Sequence, residues 1–146
     1  MTKPLIGTEV AEKIEEHLPG AVVEAGENSI LLNSESVLDI CRFLNQTAGL
    51  DFDYLTNLTA VDYLDYIEVV YHLASMKHNH SLVLKARCFN RENPTIPSVT
   101  SIWGGADFQE REVYDLLGIR FDGHYNMKRI FLWEGFQGHP LRRDFL

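Results

Sequence analysis

Two stretches near the middle of the chain limit the fold more than any others: YIEVVYHLASM, starting at Tyr66, and SLVLKARCF, starting at Ser81. The first puts Ile67, Val69, Tyr71 and Leu73 on one side and Glu68 and His72 on the other. The second groups Leu82, Leu84, Ala86 and Cys88. Strict alternation is the period of a strand with one buried face, and the short KHNHS link makes the pair a hairpin. Upstream, YLTNLTAVDYL is rich in Thr, Tyr and β-branched residues and reads as a third strand. A meander of this kind has an apolar face that other elements must cover.

The covering elements are legible at helical spacing. Val10, Ile14 and Leu18 form the stripe of a first helix, with Thr8 expected as its cap and Pro19-Gly20 as its stop. AVVEA and SILLN predict two short strands joined by GENS. A second helix is expected over about 34–47 on Val37, Ile40, Cys41 and Leu44, with Gly49 at its C-terminal cap. NRENPTIPS holds two prolines in four residues and is expected to be irregular. A third helix should begin near Trp103 or Ala106, because Gly104-Gly105 suits a helix interior poorly, and end at Gly118. Beyond it the pattern predicts only an extended, glycine-punctuated segment. The fold class is therefore α+β, a mainly antiparallel or mixed sheet with helices packed against it. Residues 1–118 form the α+β domain and 119–146 an extended C-terminal segment, in one structural unit.

Charge separates these two parts. Residues 1–109 carry 15 acidic and 7 basic side chains, a net −8, whereas residues 110–146 carry 6 of each. An acidic body argues against nucleic acid as a partner, and a balanced, charge-rich tail suits a polar interface or an internal ion-pair network. The polar opening MTKPLIGTEV predicts no secretory signal. No apolar run approaches the ~20 residues that span a bilayer.

The third helix and the segment after it hold the densest chemistry. Trp103, Ala106, Glu110, Val113, Tyr114 and Leu117 share one face, which sets an acid on an apolar stripe and predicts either an edge position or a cation for it. Arg129, Arg142 and Arg143 are the natural candidates. Asp107, Arg111 and Asp115 stand four apart and are expected to pair along the exposed side at about 0.2–0.5 kcal/mol each, with Glu112 solvated beside them. His124 and His139 each follow a glycine. A metal site joining them to Glu110 or Asp122 lacks any recognised ligand spacing, and His78 and His80 read as residues of an exposed turn. There is no GxGxxG, P-loop or GxSxG, and no serine or cysteine with a base placed to activate it. Cys41 and Cys88 read as two buried reduced thiols.

These residues also carry a resemblance. Trp103, Ala106-Asp107-Phe108, Glu110-Arg111-Glu112, Tyr114-Asp115-Leu116, Gly118-Ile119, Gly123-His124, Arg129-Ile130 and Gly138-His139-Pro140-Leu141-Arg142-Arg143-Asp144-Phe145 closely resemble the C, or thirty-kilodalton, subunit of respiratory complex I and its plastid J relative. The resemblance departs at Gly104-Gly105, where relatives often have Pro-Gly. It departs again at His124-Tyr125-Asn126-Met127-Lys128-Arg129, where they have His-Pro-Asp-Leu-Arg-Arg. It implies a non-catalytic peripheral-arm subunit of a proton-translocating NADH–quinone oxidoreductase, with no catalytic, cofactor-binding or metal residue of its own. Its expected partners are the large quinone-cavity (D) subunit and neighbouring iron–sulfur subunits, with the membrane arm reached indirectly. NADH, FMN, iron–sulfur clusters and quinone belong to those partners. The implied location is the cytoplasmic face of the cell membrane, or its organellar equivalent. The residues from Glu110 to Asp144 named above then become a docking segment. The same domain occurs in energy-converting [NiFe]-hydrogenases, formate hydrogenlyase and F420 dehydrogenase complexes. A free-standing metal-dependent hydrolase using Glu110, His124 and His139 is the rival of another class.

Overall fold

A computed structural model describes residues 2–133 and 136–145. The elements run β1 (Lys3–Pro4), α1 (Gly7–His17), β2 (Val22–Ala25), β3 (Ile30–Leu32), a 3-10 turn at Ser34–Ser36, and α2 (Val37–Gln46). They continue with β4 (Tyr54–Asp62), β5 (Ile67–Ser75), β6 (His80–Cys88), β7 (Thr95–Pro97), α3 (Ala106–Leu117) and β8 (Arg120–Asp122). The expected meander is there: β4–β5 and β5–β6 are antiparallel. Strands β2 and β3 extend it to a six-stranded sheet of order β2-β3-β6-β5-β4, with β1 also paired to β6. Because β3 and β1 run parallel to β6, the sheet is mixed.

Register aligns the apolar rows. Ile30, Leu84, Tyr71 and Leu58 lie side by side across four strands, and Leu32, Ala86, Val69 and Ala60 form the next row. Cross-strand neighbours of this kind are the unit of sheet stability. Helices α1 and α2 cover this face with Val10, Ala11, Ile14, Val37, Ile40, Cys41 and Leu44, all buried. The opposite face is polar and half-buried. There Glu68, only 4% exposed, accepts from Arg87 Nε at 3.0 Å and has Lys85 Nζ at 3.9 Å.

Helix α3 packs alongside the edge strand β4. Leu58 turns its backbone N–H away from β5, and the Gln109 side-chain oxygen accepts it. A helix laid along an exposed edge removes it as a template for further strand pairing. Trp103 anchors the approach to α3, its indole N–H donating to the Phe52 carbonyl at 3.0 Å.

The structure corrects several expectations. Ile6, not Thr8, precedes α1, and Thr8 lies inside the helix. Thr47 ends α2, so Gly49 sits two residues later in the turn that follows, at φ +90°. NRENPTIPS is not wholly irregular, since Thr95–Pro97 pairs in parallel with Arg120–Asp122. Prolines are tolerated there because the ribbon draws on carbonyls, such as Pro94 O accepting from Arg120 N at 2.9 Å. His80 is buried rather than exposed in its turn, with a ring nitrogen 2.7 Å from the Leu50 carbonyl.

Gly7 shows how tightly α1 is seated. A Cβ there would lie 2.2 Å from the Gly26 carbonyl oxygen, a backbone atom with no rotamer to escape into. Gly7→Ala should cost roughly 1–3 kcal/mol through forced backbone movement, seen as a lower urea midpoint at unchanged slope. An unchanged midpoint would mean α1 sits elsewhere.

Candidate functional site at the junction of helix and tail

The α3 sequence ADFQEREVYDLL ends at Gly118, whose φ of +81° forms the left-handed C-cap, and Gly118 N donates to the Tyr114 carbonyl at 2.9 Å. A helix end leaves its last carbonyls without partners. Here the tail supplies them. The Asp115 carbonyl receives Arg129 Nη1 at 3.2 Å and lies 3.0 Å from the His139 Nδ1. The Leu116 carbonyl receives Leu141 N at 2.9 Å, and the Leu117 carbonyl receives Arg142 Nε at 2.8 Å. Two arginines at this end also meet the negative pole of the helix dipole.

Asp115 is the centre of the junction and is fully buried. One carboxylate oxygen accepts from Arg129 Nη1 at 3.0 Å. The other accepts three consecutive tail amides, Ile130 at 3.2 Å, Phe131 at 2.8 Å and Leu132 at 3.1 Å. Burial alone would raise its pKa. The three amides and the Arg129 guanidinium outweigh that and hold the carboxyl below its ordinary value. Arg129 also donates to the Gly138 carbonyl at 2.8 Å, so one guanidinium ties two turns of the tail to the helix.

Two further clasps lie on either side. On α3, Asp107 accepts the Tyr125 hydroxyl and stands 3.0 Å from His124 Nε2, while Arg111 donates to the Lys128 and Arg129 carbonyls at 3.0 and 3.3 Å. At the end of β4, Asp62 takes a bidentate pair from Arg91 at 2.6 and 2.9 Å. The same carboxylate accepts Arg143 N at 2.9 Å, and Arg91 also reaches Asp144 at 3.2 Å. The Arg91 guanidinium, then the Arg143 and Leu64 amides, hold Asp62 well below the usual carboxylate range. Leu64 sits at φ +73°, a strained position for a leucine, with its N–H fixed on Asp62 at 2.8 Å.

Several sequence expectations fail here for a shared reason. The pairs Asp107–Arg111 and Arg111–Asp115 do not form, because each member has a tail partner that offers more bonds. Asp115 is therefore buried rather than solvated, whereas Glu112 is exposed as expected. Glu110 meets no cation among the described residues. It is fully buried and accepts from Ser98 Oγ at 2.6 Å and Val99 N at 2.8 Å. His124 and His139 serve separate clasps, and no group of three or more His, Cys, Asp or Glu that could hold a metal occurs among the described residues. Tyr114 tilts against the His139 ring at 5.8 Å, the Arg120 guanidinium also lies over the Tyr114 ring, and Gly123 turns the chain at φ +87°. Pro140 follows, half-buried, between the histidine and leucine contacts. Asp62, Arg91 and Ser98 were not singled out by the sequence. Asp62 and Arg91 lie 29 residues apart with no local pattern to join them.

Comparison with known proteins bears on this same region. The family described as respiratory-chain NADH dehydrogenase, 30 Kd subunit, matches residues 30–146. The C subunit of NADH-quinone oxidoreductase from Roseiflexus sp. (strain RS-1) is 39% identical over 142 residues, spanning 92% of this chain and 81% of that protein. Its counterpart from Caulobacter vibrioides is 43% identical over 129 residues, 86% of this chain but 64% of its own length. Among solved structures, a chain of the membrane-bound sulfane sulfur reductase, an archaeal respiratory membrane complex, superposes with a TM-score of 0.75. Its sequence is 25% identical, and the match covers 94% of this chain and 84% of that one.

Two substitutions test the junction. Asp115→Asn removes the charge that three amides and Arg129 converge on, and should cost about 3 kcal/mol. The loss should appear as faster hydrogen exchange at Ile130–Leu132 with the sheet unaffected; unchanged exchange would discount the clasp. Gly118→Ala places a Cβ 2.7 Å from His139 Cδ2 at a left-handed φ. It should cost about 1–2 kcal/mol and expose the tail to limited proteolysis.

Proposed function

The chain belongs to the respiratory-chain NADH dehydrogenase 30 Kd subunit family, and from that membership we propose that it is the C subunit of a proton-translocating NADH–quinone oxidoreductase. In this reading it is a peripheral, non-redox member that seats the large quinone-cavity subunit. The observation that carries the reading is the two-sidedness of the tail. Its inner side is fixed by Asp107, Asp115 and Asp62, while Tyr125, Phe131, Trp133 and Leu141 are 59–75% exposed. Aromatic residues displayed beside arginines on a pre-ordered backbone are the composition of an interface core. Beside them a groove of about 450 Å³ opens between β4 and the tail, lined by Ala60, Val61, Asp62, Tyr63, Leu117, Leu141 and Arg143.

The chemistry of the chain fits a supporting role. Burial pushes the Cys88 thiol up to about 11 and Cys41 up as well, and the two lie on separate elements as neutral thiols. NADH, FMN, iron–sulfur clusters and quinone are accordingly assigned to partner subunits. No described helix is long and apolar enough to cross a membrane. In this reading, membrane association comes through the complex, on its cytoplasmic or equivalent side. A second reading follows from the archaeal structural neighbour, in which a similar fold serves a complex that reduces sulfane sulfur. In that case the chain holds the equivalent place in a related membrane-bound complex with another electron donor or acceptor.

Mass spectrometry of what co-purifies after gentle extraction from the native membrane distinguishes these readings. Recovery with a quinone-cavity subunit and NADH-oxidising subunits supports the first; hydrogenase-like or sulfur-reducing partners support the second. The double substitution Phe131→Ala, Trp133→Ala should lower partner recovery by at least roughly tenfold. Turnover per assembled complex should stay near wild type. Full assembly with lost turnover would instead give the tail a direct part in catalysis.

A further inference from the structure

Glu110 stands apart from the clasps. It lies on α3, fully buried, yet no cation faces it among the described residues. The titratable groups that bear on it electrostatically are Asp107 from its own helix, the Cys41 thiol from α2 and the Tyr71 phenol from β5, and Cys88 of β6 acts in turn on the phenol. Ser98 and Val99, on the bend before α3, supply its two hydrogen bonds. The Tyr71 hydroxyl is itself buried without a partner among the described residues. The two donors favour the carboxylate, but complete burial, the absence of a facing cation among the described residues and the Asp107 carboxylate oppose it and favour the acid form.

A proton also has a route to this site. Ser98 Oγ is 2.8 Å from Thr100 Oγ1 and accepts Thr100 N at 3.2 Å, and Thr100 is half-exposed. Glu110, Ser98 and Thr100 thus form a hydrogen-bonded file from the core to solvent. As the acid, Glu110 donates its proton to Ser98 Oγ, whose hydroxyl then points to Thr100. As the carboxylate it accepts from Ser98, and the proton has left along the same file. Neither step requires the core to open.

We propose that Glu110 is a proton-operated latch on the seating of α3 in the core. The neutral carboxyl is accommodated there with its Ser98 and Val99 bonds, and ionisation, which leaves a buried charge with two donors and no cation among the described residues, loosens the helix. The clasps at Asp107, Asp115 and Leu117 all hang from α3, so the latch sets how firmly the tail is seated. That last consequence for assembly rests on the docking role proposed above; the latch itself does not. Burial, reinforced by Asp107, pushes the Glu110 carboxyl up to about 7 against the lowering effect of Ser98 and Val99. The sign follows from linkage. Below the ordinary value of 4.5 the group is protonated folded or unfolded and contributes no pH dependence. Between there and about 7 the unfolded chain releases the proton more readily, so stability falls as pH rises.

The test uses the full chain with 13C-labelled glutamate. The Glu110 carboxyl signal should titrate near 7. Amide protection along α3 and at Ile130–Leu132, corrected for intrinsic exchange, should fall roughly tenfold or more from about pH 5.5 to about pH 8. Glu110→Gln, which keeps shape and both contacts, should abolish that fall. Ser98→Ala removes a bond that favours the carboxylate and should raise the Glu110 midpoint, giving a second handle if the glutamine variant folds poorly. A midpoint near 4.5, or an equal loss of protection in Glu110→Gln, would overturn the latch. None of these measurements involves a partner subunit, so their failure is separate from any failure to co-purify.

Discussion

The buried carboxylate of Asp115 is the constraint on which the C-terminal third of the molecule depends. An ionised group with no exposure is tolerated only when its oxygens are fully occupied. Here three successive amides and a guanidinium do so. The converse also holds: a segment with little core of its own acquires one conformation because a charge demands its main chain. Arg129 is ordered by Asp115 and in turn orders Gly138, and the open carbonyls of α3 take up His139, Leu141 and Arg142. The helix terminus and the tail complete each other's hydrogen bonding.

The body places that terminus. The rows of the sheet fix β4 as an edge, α3 lies along the edge, and Glu110 and Gln109 lock the helix at two points, one in the core and one on the strand. Asp62, at the far end of the same strand, then receives the last described turn of the tail. The strain at Leu64 belongs to this arrangement, since the same carboxylate holds both the Leu64 amide and the Arg143 amide. A hairpin tip and a tail segment distant in sequence share one anion.

Much of this was legible in the residues. Alternation in β5 and β6, the helical face of α3 and the glycine that stops it were all readable, because each depends on neighbours within a few positions. The motif running from Glu110 to Asp144 was also readable as a family signature. What escaped was set by distant partners. Asp107, Arg111 and Asp115 obey the four-residue rule in sequence, but a surface pair along a helix is worth only a few tenths of a kcal/mol. Partners in the tail, with four hydrogen bonds on the buried Asp115 carboxylate alone, outweigh it. Glu110 was rightly marked as an acid on an apolar face, and a cation was the wrong inference. Ser98 and Val99 solve the same problem without charge, and nothing in their spacing announces it. The β7–β8 ribbon hid behind prolines for a similar reason, its bonds using the Pro94 carbonyl and the Ser98 amide rather than a proline nitrogen.

Asp115 grips Ile130, Phe131 and Leu132 only by their main-chain amides. The hold is therefore blind to the identity of the three side chains. Any residue but proline would be held in the same register. The outward-facing letters of this segment are thus free to be rewritten, while the grammar that positions them stays in the helix. A scaffold of this design can change the face it displays without first having to refold.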